Sequence, residues 1–136
     1  MHHTKDKGDL GLLKAQLDLF RQGYMILNPL TEHAPFDLVI YKDRKFKRVQ
    51  VKYKSVDKNG KILVSFRSSW TDKHGTHTRA IDKKEIDLYC IYCPNTDACY
   101  YFDPKKFRRS VTLRVNNSKN NQSKFVKLAK DYCWVP

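Results

Sequence analysis

A carboxylate, a carboxamide and an ammonium stand close together in this chain. Asp37 is followed about a dozen residues later by Gln50 and Lys52, which flank Val51. Phosphodiester hydrolysis uses a set of this kind. Hard oxygen ligands hold Mg²⁺, the ion screens the phosphate and lowers the pKa of bound water, and an ammonium supports the attacking hydroxide or the developing charge. Each residue alone has a plainer reading. Lys52 and Lys54 suit the solvated face of an edge strand, and Gln50 alone is an ordinary polar strand residue. Their joint occurrence with Asp37 in a basic chain favours a site.

The elements that must position these residues follow from periodicity. Residues 36–41 are strand-like, and the turn at 42–45 leads into a second strand over 46–54. There Val49, Val51 and Tyr53 alternate with Arg48, Gln50, Lys52 and Lys54. Period-two alternation puts Gln50 and Lys52 on one face and turns Val49 and Val51 to the core. Antiparallel neighbours hold side chains ~5 Å apart, so Asp37 can converge with the Gln50/Lys52 pair.

Upstream, Leu10, Leu13, Leu17 and Phe20 recur at helical steps over 4–22, with Gly23 as the stop. A short strand is expected at 24–27. Downstream, Asn59-Gly60 reads as a hairpin turn returning through 61–66, and the polar stretch 68–78 as a loop. Strands are expected at 88–93, 99–102 and 111–115. One helical turn is expected at 102–107, and an amphipathic closing helix carries Phe125, Val126, Leu128, Ala129 and Tyr132. The whole reads as a single mixed α/β domain over residues 1–136.

Charge narrows the partner. Lys and Arg total 27 against 14 Asp and Glu, a formal net charge of +13. Such a surface draws polyanions through steering and counterion release. No apolar run approaches the ~20 residues of a membrane span, and the first residues lack a signal peptide's apolar stretch. An intracellular, cytoplasmic protein with reduced thiols is expected. The pair Cys90 and Cys93 has half a zinc-knuckle spacing, but it sits in an apolar strand with no second pair, so core cysteines are the better reading.

Candidates for DNA contact are Arg67, Trp70, His74, His77 and Arg79, together with Asn120, Asn121, Gln122 and Lys124. Arg reads guanine edges, and Asn and Gln read adenine. The Asn-rich segment 116–124 is equally a reading element or a flexible turn. His74 and His77 lack a carboxylate or cysteine at matching spacing and fit a loop near phosphates better than a metal site. His33 suits a solvated loop position better than a proton shuttle.

An Asp, about a dozen residues and then a Gln-x-Lys triplet on the next strand resembles the PD-(D/E)XK nuclease signature. Lys7-Gly8-Asp9-Leu10-Gly11 is similar to the KG(D/E)xG segment that often precedes it. The stretches 36–39 and 49–52 together resemble a prokaryotic branch that includes a group I intron homing endonuclease, where Gln replaces the usual second acid. Ile86-Asp87-Leu88-Tyr89-Cys90-Ile91-Tyr92-Cys93-Pro94 and Ala129-Lys130-Asp131-Tyr132 also fit it.

The resemblance implies a restriction-endonuclease-like α/β core, a mixed sheet flanked by helices in an αβββαβ order. It implies Mg²⁺ as cofactor, with Mn²⁺ as a substitute, held by Asp37, Asp9, the Gln50 amide and the Val51 carbonyl. Lys52 would position or activate the attacking water. The site departs from the signature in two places: Phe36 stands where Pro is usual, and uncharged Gln50 weakens metal binding unless Asp9 compensates. On its plainer reading, Asp9 complements the helix dipole. The expected substrate is double-stranded DNA, cut on both strands by a dimer or tetramer. A junction-resolving nuclease, as in archaea, and a basic DNA-binding module without catalysis are the alternatives.

Overall fold

The computed structural model describes residues 4–116 and 126–136. A helix, α1 (Thr4–Arg21), opens the chain and is followed by β1 (Met25–Leu27), β2 (Leu38–Lys42) and β3 (Lys45–Tyr53). Then come β4 (Lys61–Ser65), β5 (Arg67–Asp72), β6 (Gly75–Ala80), β7 (Leu88–Cys93), β8 (Ala98–Phe102) and β9 (Ser110–Arg114).

Five strands form the central sheet in the order β1-β2-β3-β7-β8. Only the β3–β7 pair within it is parallel. The sheet's two faces carry separate cores. Ala15 and Leu19 of α1 pack with Leu38, Ile40, Val49, Leu88 and Cys90 on one face. On the other, Tyr89, Ile91 and Phe102 meet Ile62, Val64 and Phe66 of the strand excursion. α1 lies close to β3 at Gly11, where a Cβ would sit 3.4 Å from the Tyr53 Cβ.

Register in the β2–β3 hairpin decides where the chemistry lands. Asp43 and Arg44 both adopt the left-handed region, at φ 53° and 68°. This is the backbone of the tight two-residue turns that match strand twist. It pairs Lys42 with Lys45 and, at the far end, Leu38 with Val49. Tyr41 and Phe46, also register partners, hold ring centroids 4.7 Å apart.

Three local expectations are corrected. The turn before β4 forms, with the Gly60 N–H donating to the Asp57 carbonyl, but β4 does not return along β3. It pairs with β9 instead, because β3 already has β2 and β7 as neighbours. Residues 67–80, expected as a loop, make the β5–β6 hairpin. Cross-strand pairs hold it together: Trp70 stacks on His77, and the Thr71 and Thr76 hydroxyls meet at 3.2 Å. Its positions are polar and mostly exposed, so no apolar alternation announces it.

The closing helix is replaced, among the described residues, by one 3₁₀ turn, Ala129–Tyr132, after a bridge between Arg114 and Leu128. The mixed α/β class holds. However, α1 is the one α-helix among the described residues, and the crossover from β3 to β7 runs through strands. No helix among the described residues is long and apolar enough to cross a membrane.

Candidate active site

β2 stops short of the ladder that β3 offers, and Asp37 covers the gap. Its N–H donates to the Val49 carbonyl at 2.9 Å, and its Oδ2 accepts from the Val51 N–H at 2.8 Å. The carboxylate thus stands in for the main-chain acceptor that a longer strand would supply. Leu38 faces the α1 side of the sheet, so alternation turns Asp37 to the other face, the face of Gln50 and Lys52. The N–H and carbonyl of one strand residue point to the same side. The Val51 carbonyl therefore opens on this edge, next to Asp37.

Burial pushes the Asp37 carboxyl above its ordinary value, and the Val51 N–H and nearby Lys52 offset this only in part. Burial also lowers Lys52, with the Lys54 ammonium adding to it and Asp37 opposing. The Lys52 Nζ makes a long contact, 3.4 Å, to the Arg67 carbonyl, which sets the start of the β5–β6 hairpin beside it. Gln50 is half-buried, and its carboxamide meets no hydrogen-bond partner among the described residues.

A half-buried carboxylate that accepts one N–H has oxygen lone pairs left for a cation. The donors gathered here, a carboxylate, a main-chain carbonyl and an amide oxygen, are hard oxygens of the kind Mg²⁺ takes. No three His, Cys, Asp or Glu residues cluster as a metal site among the described residues. An ion here would complete its shell with water, as Mg²⁺ commonly does. The donor set fits.

The other expected residues fall in distinct places. Asp9 is exposed near the start of α1, in a recess with Asp6, Leu10 and Leu13, and makes no contact with Asp37. Arg67, Trp70, His74, His77 and Arg79 all lie on the β5–β6 hairpin. Trp70, His77 and Arg79 share one of its faces by register, and Arg67 takes the other. His77 Nε2 is 3.0 Å from the Asp72 carboxylate, and Trp70 is 48% exposed. Asn120, Asn121, Gln122 and Lys124 lie outside the described residues. His33 is exposed. Cys90 and Cys93 belong to opposite cores, so the two thiols cannot share an ion.

Sequence reasoning passed over Tyr89. Its ring is fully buried against Phe66 and Phe102, and its hydroxyl is buried with no partner among the described residues. Burial, reinforced by the Asp37 charge, pushes this phenol up to about 12. A tyrosine inside an apolar strand run reads as core. The available signal was the phenol oxygen that Tyr89 carries into an apolar run where phenylalanine would serve packing alone.

No curated protein matches the chain. Among solved structures, the bacterial homing endonuclease I-Ssp6803I is similar, with a TM-score of 0.71 at 21% identity, covering 95% of this chain and 87% of that one. At that identity the likeness establishes the fold, which is restriction-endonuclease-like. The profile of the PD-(D/E)XK endonucleases matches almost the full length, residues 2–135, and this chain belongs to that family.

Proposed function

We propose that this chain is a metal-dependent DNA endonuclease that makes site-specific double-strand cuts. The observation that carries the reading is the half-buried Asp37 carboxylate on the Val51 N–H, with Lys52 in its field, where β2 gives out. Asp37, the Val51 carbonyl and the Gln50 amide oxygen would hold a divalent ion, Mg²⁺ or its substitute Mn²⁺. Asp9 is assigned as the helix's supporting acid. When bound, the ion screens the phosphate and acidifies a water. Lys52 would orient the attacking water and, as the free amine, take up the proton that the water releases. A lowered ammonium pKa suits it to this task, because proton transfer is most efficient near the operating pH.

The hairpin supports the choice of substrate. A basic chain with a net charge of +13 neutralises phosphates, and the hairpin beside Lys52 presents Arg67, Arg79, Trp70 and two histidines. Arg and aromatic side chains on a two-stranded ribbon can reach base edges in the major groove. Asn120, Asn121, Gln122 and Lys124 are assigned to the same contact surface.

One centre per subunit requires two subunits for a double-strand cut. An exposed apolar stripe on α1 supports self-association: Leu13 is 66% exposed, Leu17 47% and Phe20 71%. Sedimentation of the purified chain is expected to give a dimer or tetramer, and a strictly monomeric species would remove this part of the reading.

The deciding experiment incubates the protein with supercoiled plasmid, genomic DNA and a four-way junction, with and without Mg²⁺. Discrete double-strand products that require the ion, and that Asp37→Asn abolishes, are expected. Cutting of the junction alone would move the reading to a structure-specific nuclease. Salt-sensitive binding without cleavage under any divalent ion would leave a DNA-binding module.

A further inference from the structure

Two polar groups at the site have no hydrogen-bond partner among the described residues, and the fold puts them side by side. Gln50 and Tyr89 are register partners across the parallel β3–β7 ladder, so their side chains stand on the same sheet face. The Tyr89 hydroxyl is buried and unpartnered, and the Gln50 carboxamide likewise meets nothing. Asp37 lies on the far side of Gln50, bonded to Val49 and Val51, the residues on either side of it.

A buried hydroxyl without a partner is destabilising, and phenylalanine would fill the pocket between Phe66 and Phe102 without that cost. A carboxamide poses a complementary problem. Its oxygen and nitrogen are nearly the same size, and only the oxygen binds a cation. A site that relies on Gln in place of a symmetric carboxylate therefore needs something to select its orientation.

We propose that Tyr89 is the positioning residue for Gln50: when the carboxamide turns its oxygen to an ion, the Tyr89 O–H, which has no other partner among the described residues, donates to that oxygen and so holds it, rather than the NH₂ group, toward the ion. The direction of the bond follows from the Asp37 charge. The negative carboxylate attracts the positive end of the O–H dipole, so the proton points across Gln50 and the hydroxyl acts as donor. The amide oxygen has two lone pairs, one for Tyr89 and one for the ion. The inference rests on the reading of Asp37 and Gln50 as the metal site.

The test uses Mn²⁺ titrated into the metal-free protein by calorimetry, followed by Mg²⁺-dependent plasmid cleavage. Tyr89→Phe should fold with an unchanged or higher melting temperature and bind Mn²⁺ about tenfold more weakly, as is typical when a metal ligand loses its supporting hydrogen bond. kcat should fall with little change in KM for DNA. The deciding comparison is the Gln50→Glu background. A carboxylate offers oxygen at either end, so adding Tyr89→Phe there should cost almost nothing. Wild-type Mn²⁺ affinity in Tyr89→Phe, or an equal loss in both backgrounds, would overturn the proposal. Asp37→Asn binding Mn²⁺ as tightly as wild type would show instead that the metal site itself is misassigned, and the proposal would fall with it.

Discussion

The central sheet uses one backbone device twice, with opposite electrostatic results. Asp37 precedes β2 and Asp87 precedes β7, and each bonds to β3 through both its own N–H and its carboxylate. Asp87 donates to the Arg48 carbonyl at 2.9 Å and accepts from the Arg48 N–H at 2.8 Å, as Asp37 does with Val49 and Val51. They differ in what else arrives. Asp87 also receives the Arg48 guanidinium through both oxygens at 2.9 Å, with the Lys105 ammonium at 3.5 Å. These partners hold its carboxyl well below the usual carboxylate range. Asp37 receives no further donor, and burial holds it above that range. One acid is saturated and braces the sheet, while the other is left wanting a cation. A shared local motif therefore does not imply a shared role; the unmet demand of the second acid makes it the candidate functional position.

Substitutions can break this contrast. The largest expected effect is on catalysis: Asp37→Asn should lower Mg²⁺-dependent cleavage by at least about 10³-fold, roughly 4 kcal/mol of barrier, with DNA affinity unchanged or higher. The plasmid assay reads this directly, and undiminished cutting would erase the distinction between the two acids. Lys52→Ala should cost about 10²-fold in kcat, within the usual range for a positioned proton-transfer group. A loss confined to DNA affinity would make Lys52 a phosphate contact only.

Smaller effects should appear in stability, with opposite signs. The folded-state pKa of Asp87 is depressed, so its contribution is present above the ordinary carboxylate range and lost as pH falls through its lowered value. Asp87→Asn should therefore destabilise the protein at neutral pH by about 1–2 kcal/mol, screened by solvent around the half-exposed Arg48, and leave the chemistry intact. The pKa of Asp37 is raised, so its contribution is present at acid pH and lost as pH rises through the raised value. Metal-free Asp37→Asn should melt slightly higher than wild type at neutral pH, with the gain fading as the solution is acidified. Thermal melts across pH check both, and a matching sign for the two variants would refute the contrast.

The part of the site that follows short-range rules was legible in the sequence. Alternation from Arg48 to Lys54 and the tight turn at 43–44 suffice to bring Asp37, Gln50 and Lys52 to one sheet face. Long-range pairing was not legible. Asn59-Gly60 signals a turn but cannot name the partner strand, and β9, about fifty residues later, takes that role. The β5–β6 hairpin stayed hidden because a solvated ribbon has no apolar face to alternate. The pairing of Arg48 with Asp87 and of Gln50 with Tyr89 depends on the parallel β3–β7 contact, which only the folded chain reveals.

That parallel contact also sets an order of events. Asp37, Gln50 and Lys52 all precede the residues of β7 in the chain, yet β7 and its Tyr89 complete the sheet face on which they stand. Parallel pairing across so long a crossover is among the slower steps of folding. A chain shortened before residue 88 carries every catalytic candidate but lacks the β7 side of the site, where Tyr89 stands beside Gln50. The surroundings of the candidate site are thus completed only by residues well downstream of the three that form it.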